Sequence, residues 1–321
     1  MTDLDVLTLG MMMAEIWPPR LGPRVVEAEA LGLLPSGSAT IFAMALARLG
    51  GRVGMISRVG DDEIGRWMID QLASAGIDIG QVAVVPGQLS PLALASVDAR
   101  GEKTFSYYRF AGFSDPLTML RADEIADEAL RRVRLFDFTE GSLRAPALRA
   151  ETFRVVERAR RLGLATCYTP NYRISGWQGG AAEALPAQRQ AIALADLVIM
   201  NATEATLIAN LSDVQAAARQ LQASGPRVVV VTRGGDPIVV ASDGTIVEIP
   251  AVRAEVVFDI GAGDTFHAGF LAAWRPGTDP VACATFAAHA AALKIGRPPQ
   301  PEHLPTRDEV LQAIDAAGKE G

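Results

Sequence analysis

Apolar and polar positions along this chain predict strands and helices in alternation, with one interruption. Residues 4–16 are a nearly continuous apolar run broken at Gly10, which predicts a buried strand continuing into a second apolar piece. Residues 25–30 alternate apolar and polar positions and predict a half-exposed strand. A small-residue helix follows over residues 39–49 and stops at Gly50 and Gly51. A buried strand over 52–59 and an amphipathic helix over 63–75, closed by Gly76, complete this first part. Such a βαβα beginning predicts a parallel sheet with helices on its faces.

The pattern then changes. Residues 82–85, 92–98 and 103–110 are short alternating segments separated by Pro86, Gly87, Arg100 and Gly101, which predicts an antiparallel hairpin set. Together with residues 11–16 and 25–30 they would form a small second sheet, with lid strands inside residues 11–30 and 84–112. That sheet is either a flap over a pocket or an edge extension of the main sheet. Helix over 123–132 and strand over 135–138 then restore the alternation. It runs on through helices over 145–162, 182–195 and 214–223, and strands over 164–169, 197–200 and 227–231. A hairpin about Asp243 and Gly244 and alanine-rich helices over 265–273 and 281–293 lead to a last helix over 307–316. No repeat or low-complexity linker divides the chain, so residues 1–321 read as one domain.

Polar clusters at 170–173, 201–204, 232–235 and 259–264 each follow a buried segment. Ligands of open parallel sheets bind beyond the carboxyl ends of the strands, so these clusters should converge on one edge. The last holds Gly261, Ala262, Gly263 and Asp264 at the predicted start of a helix. Unpaired amides at a helix N-terminus suit an anion, above all phosphate. Asp264 then either caps those amides itself or takes a proton from a substrate hydroxyl.

Composition narrows the classes. The chain has 321 residues, 49 % apolar and 21 % charged, and a formal net charge of −7, which disfavours nucleic acid as a partner. No apolar run approaches the ~20 residues of a membrane span. The N-terminus carries no basic and apolar leader, which predicts an untargeted, cytoplasmic protein. Cys167 and Cys283 stand alone and the three histidines have no ligand spacing, so no structural metal site is expected.

The residues resemble, over nearly the whole chain, the ribokinase-like (PfkB-type) carbohydrate kinases. The likeness rests on Ser36, Gly37, Ser38 and Ala39 ahead of a small-residue helix, and on Val59, Gly60, Asp61, Asp62 and Gly65. It rests further on Asn201 with Glu204, Gly261 to Phe266, and Leu304 to Arg307. Thr8, Leu9 and Gly10 with Pro18 and Pro19, then Tyr107, Tyr108 and Arg109, and Asn171, Tyr172 and Arg173 with Trp177, look most like 2-keto-3-deoxygluconate kinases. The resemblance implies a three-layer α/β/α fold with a mostly parallel sheet and a small β lid, ATP and Mg²⁺, and a homodimer through the lid.

Its implied roles are Asp264 as base and the amides around Gly261, Ala262 and Gly263 on the transferring phosphoryl group. Asn201 and Glu204 would organise Mg²⁺ through its waters; Thr232, Gly234 and His289 would border the nucleotide. Gly37, Tyr107, Arg109 and Arg173 would face the sugar. Two guanidinium groups suit a keto-acid carboxylate, although each could also pair with surface acids. Several positions depart from the family pattern. Asp259 sits one residue late in a segment that shapes a monovalent-cation loop in relatives, which leaves potassium activation open. Ile41, Thr169, Met11 and Pro237 replace the family's Asn, Asp, Glu and Gly. The implied activity is therefore phosphorylation of 2-keto-3-deoxygluconate or a related sugar acid. The alternatives are a neutral-sugar or nucleoside kinase, and a non-catalytic sugar- or nucleotide-binding protein on the same scaffold.

Overall fold

The computed structural model describes residues 3–18, 22–97, 103–108 and 115–320. In chain order the elements are β1 (Leu4–Leu9), β2 (Met13–Trp17), β3 (Gly32–Ser36), α1 (Ser38–Arg48), β4 (Val53–Gly60), α2 (Glu63–Ser74) and β5 (Asp78–Val85). Next come β6 (Leu92–Val97), β7 (Lys103–Tyr108), α3 (Asp127–Arg131), β8 (Val133–Thr139), α4 (Pro146–Arg161), β9 (Ala165–Thr169) and α5 (Gly180–Leu194). The last are β10 (Leu197–Asn201), α6 (Ala202–Ala209), α7 (Val214–Ala223), β11 (Val228–Arg233), β12 (Asp236–Ser242), β13 (Thr245–Ile249), α8 (Ala262–Ala273), α9 (Pro280–Ile295) and α10 (Arg307–Glu320).

Among the described residues, nine strands form the main sheet in the order β13-β12-β11-β10-β9-β8-β1-β4-β5. The seven from β11 to β5 are mutually parallel, and β12 and β13 close one edge antiparallel. Successive residues of each strand serve opposite faces. Val6, Leu135, Cys167, Leu197 and Val228 pack under the α1, α8 and α9 side. Leu7, Phe136, Tyr168, Val198 and Val229 pack under α4, α5, α6 and α7. The fold is therefore the expected three-layer α/β/α arrangement.

The second sheet has the order β3-β2-β6-β7. Its composition corrects three sequence expectations. Residues 25–30 are not a strand: Val25–Glu27 is a 3₁₀ turn, with Arg24 and Glu27 satisfying each other's ends, and the strand lies later, at β3. Residues 82–85 belong to β5, which pairs parallel to β4 at the main sheet's edge; an edge strand with one wet face alternates just as a lid strand does. The set is not wholly antiparallel either, since β2 and β6 run parallel. Helix over 123–132 is likewise broken into a 3₁₀ turn at Ala122–Glu124 and the short α3. The small sheet docks through Trp17, whose ring lies 5.5 Å from that of Phe258. Ala95 and partly buried Leu34, Phe105 and Ile260 complete this contact.

The segment from Val59 to Gly65 is a joint. Asp62 caps α2 by accepting from the Gly65 amide at 2.7 Å, and also accepts from the amide and hydroxyl of Ser90 at 2.6 and 2.8 Å. A Cβ at Gly60 would meet the Leu89 carbonyl carbon at 2.5 Å, so no other residue lets these two chains pass so closely. This joint fixes where β6 departs for the small sheet.

Candidate active site

A cleft of about 380 Å³ opens between the two sheets. The carboxyl ends of β8, β9, β10 and β11 contribute Thr139, Thr169, Asn201 and Thr232. The turn ahead of α8 contributes Asp259 to Asp264, and the small sheet contributes Met13, Glu15, Ser36, Phe105 and Tyr107. A shallower groove of about 610 Å³ continues from it, lined by Tyr172, Thr203, Leu207, Val214, Gly234 and Asp236. Arg173, Asn201, Glu204 and Thr232 border both. The convergence expected of the polar clusters is thus present.

The turn itself is built for an anion. Gly261 has φ 82° and caps α8 without a side-chain hydrogen bond. Its carbonyl accepts from the Thr265 amide at 2.9 Å, and the Ala262 amide donates to the Asp259 carbonyl at 3.1 Å. No side-chain oxygen of the cap covers the amides of Gly263 and Asp264, which stay available to a ligand. A Cβ at Gly261 would also sit 3.1 Å from Ile41 Cγ2, so the backbone approaches α1 closely here.

Asp264 lies in the first turn of α8, 8 % exposed, and borders the cleft. Ser38 Oγ, at the start of α1, donates to its Oδ1. Burial raises its carboxyl above the ordinary aspartate value of 3.8, opposed by the Ser38 hydrogen bond and the charges of His267, Arg173 and Lys294. A buried carboxylate with raised proton affinity, next to open helix amides, can take a proton from a hydroxyl while the amides hold phosphate.

Glu204 has its first oxygen on the Tyr172 amide at 2.7 Å and its second on the Asn201 amide at 2.9 Å. Asn201 Oδ1 accepts from the Glu204 amide at 2.9 Å, closing a reciprocal cap. Burial is the largest influence on Glu204 and raises its proton affinity; the two amides oppose it.

This construction, on a sheet of this order, goes with a match across residues 3–307 to the family described as pfkB family carbohydrate kinase. The chain belongs to the PfkB carbohydrate kinases. The kinase is 28 % identical to fructokinase-1 of Zea mays over 325 residues, covering 97 % of this chain and 98 % of that one. It is 31 % identical to a fructokinase of Klebsiella pneumoniae over 275 residues, covering 81 % and 84 %. Its fold matches an E. coli protein described as a ribokinase II, solved with ATP and Mg²⁺. The TM-score is 0.87 at 24 % identity, covering 98 % of this chain and 99 % of that one.

Gly37, Tyr107, Arg173, Asn201, Glu204, Thr232, Gly261, Ala262, Gly263 and Asp264 line the kinase's cleft, and Gly234 lines the groove. Gly37 has φ 96°, and a Cβ there would meet the Met11 carbonyl oxygen at 2.5 Å. His289 is not brought to either cavity; it is buried in α9 with Nδ1 3.0 Å from the Thr285 carbonyl. Arg109 lies outside the described residues. Arg173 is on an exposed loop, and its guanidinium has no ion-pair partner among the described residues. Sequence reasoning missed Glu15, and gave Ser38 a place in the family likeness but no role. Glu15 is 8 % exposed on β2 and borders the cleft. Burial raises its proton affinity most, the Ser36 hydroxyl opposes this, and Asp264 adds to it. A carboxylate between Ala14 and Ile16 in an apolar strand was the available signal. No described helix is long and apolar enough to cross a membrane.

Proposed function

We propose that the kinase transfers the γ-phosphoryl group of ATP to a hydroxyl of a neutral sugar, with a ketohexose such as fructose first among candidates. The observation that carries this reading is the pairing of Asp264, on an open helix end, with Glu15 in one cleft. Asp264 takes the proton of the sugar hydroxyl, whose oxygen then bonds to the γ-phosphorus as the bond to ADP breaks. The amides around Gly261, Ala262 and Gly263 hold the transferring group, and positioning with charge stabilisation does most of the work.

Glu15 suits a polyol, since a carboxylate accepts hydrogen bonds from neighbouring hydroxyl groups. The same carboxylate, with Asp264 beside it, would repel the carboxylate of 2-keto-3-deoxygluconate. Arg173 favours the acid as a second reading, because its guanidinium is available for a forked contact. Its place at the junction of cleft and groove suits phosphate oxygens better, which leaves less of its charge for a substrate acid. The fructokinase relatives also support the neutral sugar.

Thr232 and Gly234 border the groove, which would take the nucleotide. The donor set fits magnesium: Asn201 and Glu204 offer oxygen only, and both oxygens of Glu204 already accept amides, so they would hold the ion through its waters. When bound, the ion neutralises charge on the phosphate oxygens. ADP release should be measured against fructose, ribose and 2-keto-3-deoxygluconate. Fructose should give the highest kcat/KM. Faster turnover of the keto acid would sink the neutral-sugar reading, and sugar binding without any ADP release would favour the non-catalytic alternative.

A further inference from the structure

The turn that carries Gly261 rests on a buried cation. Lys294, next to the last residue of α9, is 4 % exposed. Its ammonium donates to the Phe258 carbonyl at 2.8 Å and stands 4.6 Å from the centre of the Phe258 ring. The amides of Val257 and Phe258 both donate to the Ile295 carbonyl, at 2.8 and 2.9 Å, so the end of α9 and the lead-in to the turn are tied together. A Cβ at Gly261 would meet Lys294 Cε at 3.7 Å, which puts the lysine stem directly against the cap of α8.

Burying an ammonium group is unfavourable unless anions or dipoles compensate it, and a methionine would fill the same space without that cost. That charge also reaches the neighbouring site. The carboxylate of Asp264 feels it, alongside Arg173 and His267. A phosphoryl group on the amides of the same turn would feel it too. A free monovalent ion, which the family likeness raises for this segment, would compete with Lys294 for the same carbonyl. The Phe258 carbonyl already accepts from Nζ, and the lysine side chain fills the space against Gly261.

We propose that Lys294 is a built-in cation beneath the phosphoryl site, holding the turn from Phe258 to Asp264 and its bound anion in place of a free monovalent ion. Lys294 is a positioning residue: it acts through the turn and touches no reacting atom. The inference rests on the kinase reading above.

The test compares native protein, K294M and K294R in choline chloride, potassium chloride and ammonium chloride at one ionic strength, following ADP release with the best sugar of the panel. Native turnover should be the same in all three salts. K294M should lose roughly tenfold to a hundredfold in kcat, with little change in sugar KM, and regain part of it in potassium or ammonium. K294R, which keeps the charge, should retain more activity than K294M. Severalfold potassium activation of the native kinase would overturn the inference alone, and this reading stands even if K294M does not fold. Full activity of K294M, or a loss that no cation restores and K294R shares, would also overturn it. A native protein that turns over no sugar would overturn the kinase reading and this inference together.

Discussion

Two helices of this kinase begin at the same sheet edge with an acid in their first turn, and only one is open. In α6, Asn201 caps the Glu204 amide and Glu204 caps the Asn201 amide, so the helix end is closed by its own residues. In α8 the cap is Gly261, which has no side chain to offer, and Asp264 is bonded across to Ser38 on another helix. Both acids are buried. One carboxylate is committed to two amides and can reach a ligand only through its remaining lone pairs. The other leaves its helix amides for an anion and faces the cleft. The difference teaches that a carboxylate near a helix start is structural or chemical according to what the cap residue leaves unsatisfied.

Breaking the open end should have the largest effect. D264N should lower kcat by on the order of 10² to 10⁴, with the protein still folded and sugar still bound, as checked by ADP release and calorimetry. G261N would put a side chain on the open cap; Asn tolerates a positive φ, but its Cβ would press on Ile41 Cγ2 at 3.1 Å and shift the turn. The shifted turn would misplace the anion's donors, and kcat should fall by roughly tenfold to a hundredfold in the same assay. N201A opens the other end: thermal or denaturant unfolding should show a loss of about 0.5–2 kcal/mol, with a smaller change in turnover.

The subtlest change is in pH dependence. Asp264 must be ionised to act as base, and burial places its titration above the ordinary value of 3.8, so kcat/KM should fall as pH drops through that raised range. The Ser38 hydroxyl favours the ionised form. S38A should therefore move this acid limb to higher pH; an unmoved limb would show that Ser38 serves only α1.

The layered fold was legible because buried strands and amphipathic helices alternate from residue 120 onward, and each has its own period. The open helix end was legible too, since Gly261 and Asp264 are neighbours in sequence. What sequence could not supply was anything set by strand order. Residues 82–85 have the alternation of a lid strand, yet they edge the main sheet, because one wet face looks alike in either place. Glu15 reads as a stray acid in an apolar run until β2 is seen folded over the cleft. Lys294 resembles an ordinary basic residue in the last turn of a helix, and only the approach of Phe258 makes it a buried cation. Ser38 and Asp264 stand 226 positions apart, beyond any local pattern.

The alanine-rich helices α8 and α9 touch at Gly269, where a Cβ would come within 2.8 Å of Ala287 Cα. Neither residue lines the cleft. Yet α8 carries Asp264 and α9 carries Lys294, so this one missing methyl group sets the spacing of a negative and a positive charge about one and a half to two turns away. A bulkier residue there would act as a wedge and reach the chemistry by leverage. Surveys of tolerated substitutions should therefore find Gly269 as intolerant as a residue of the cleft, although no ligand ever touches it.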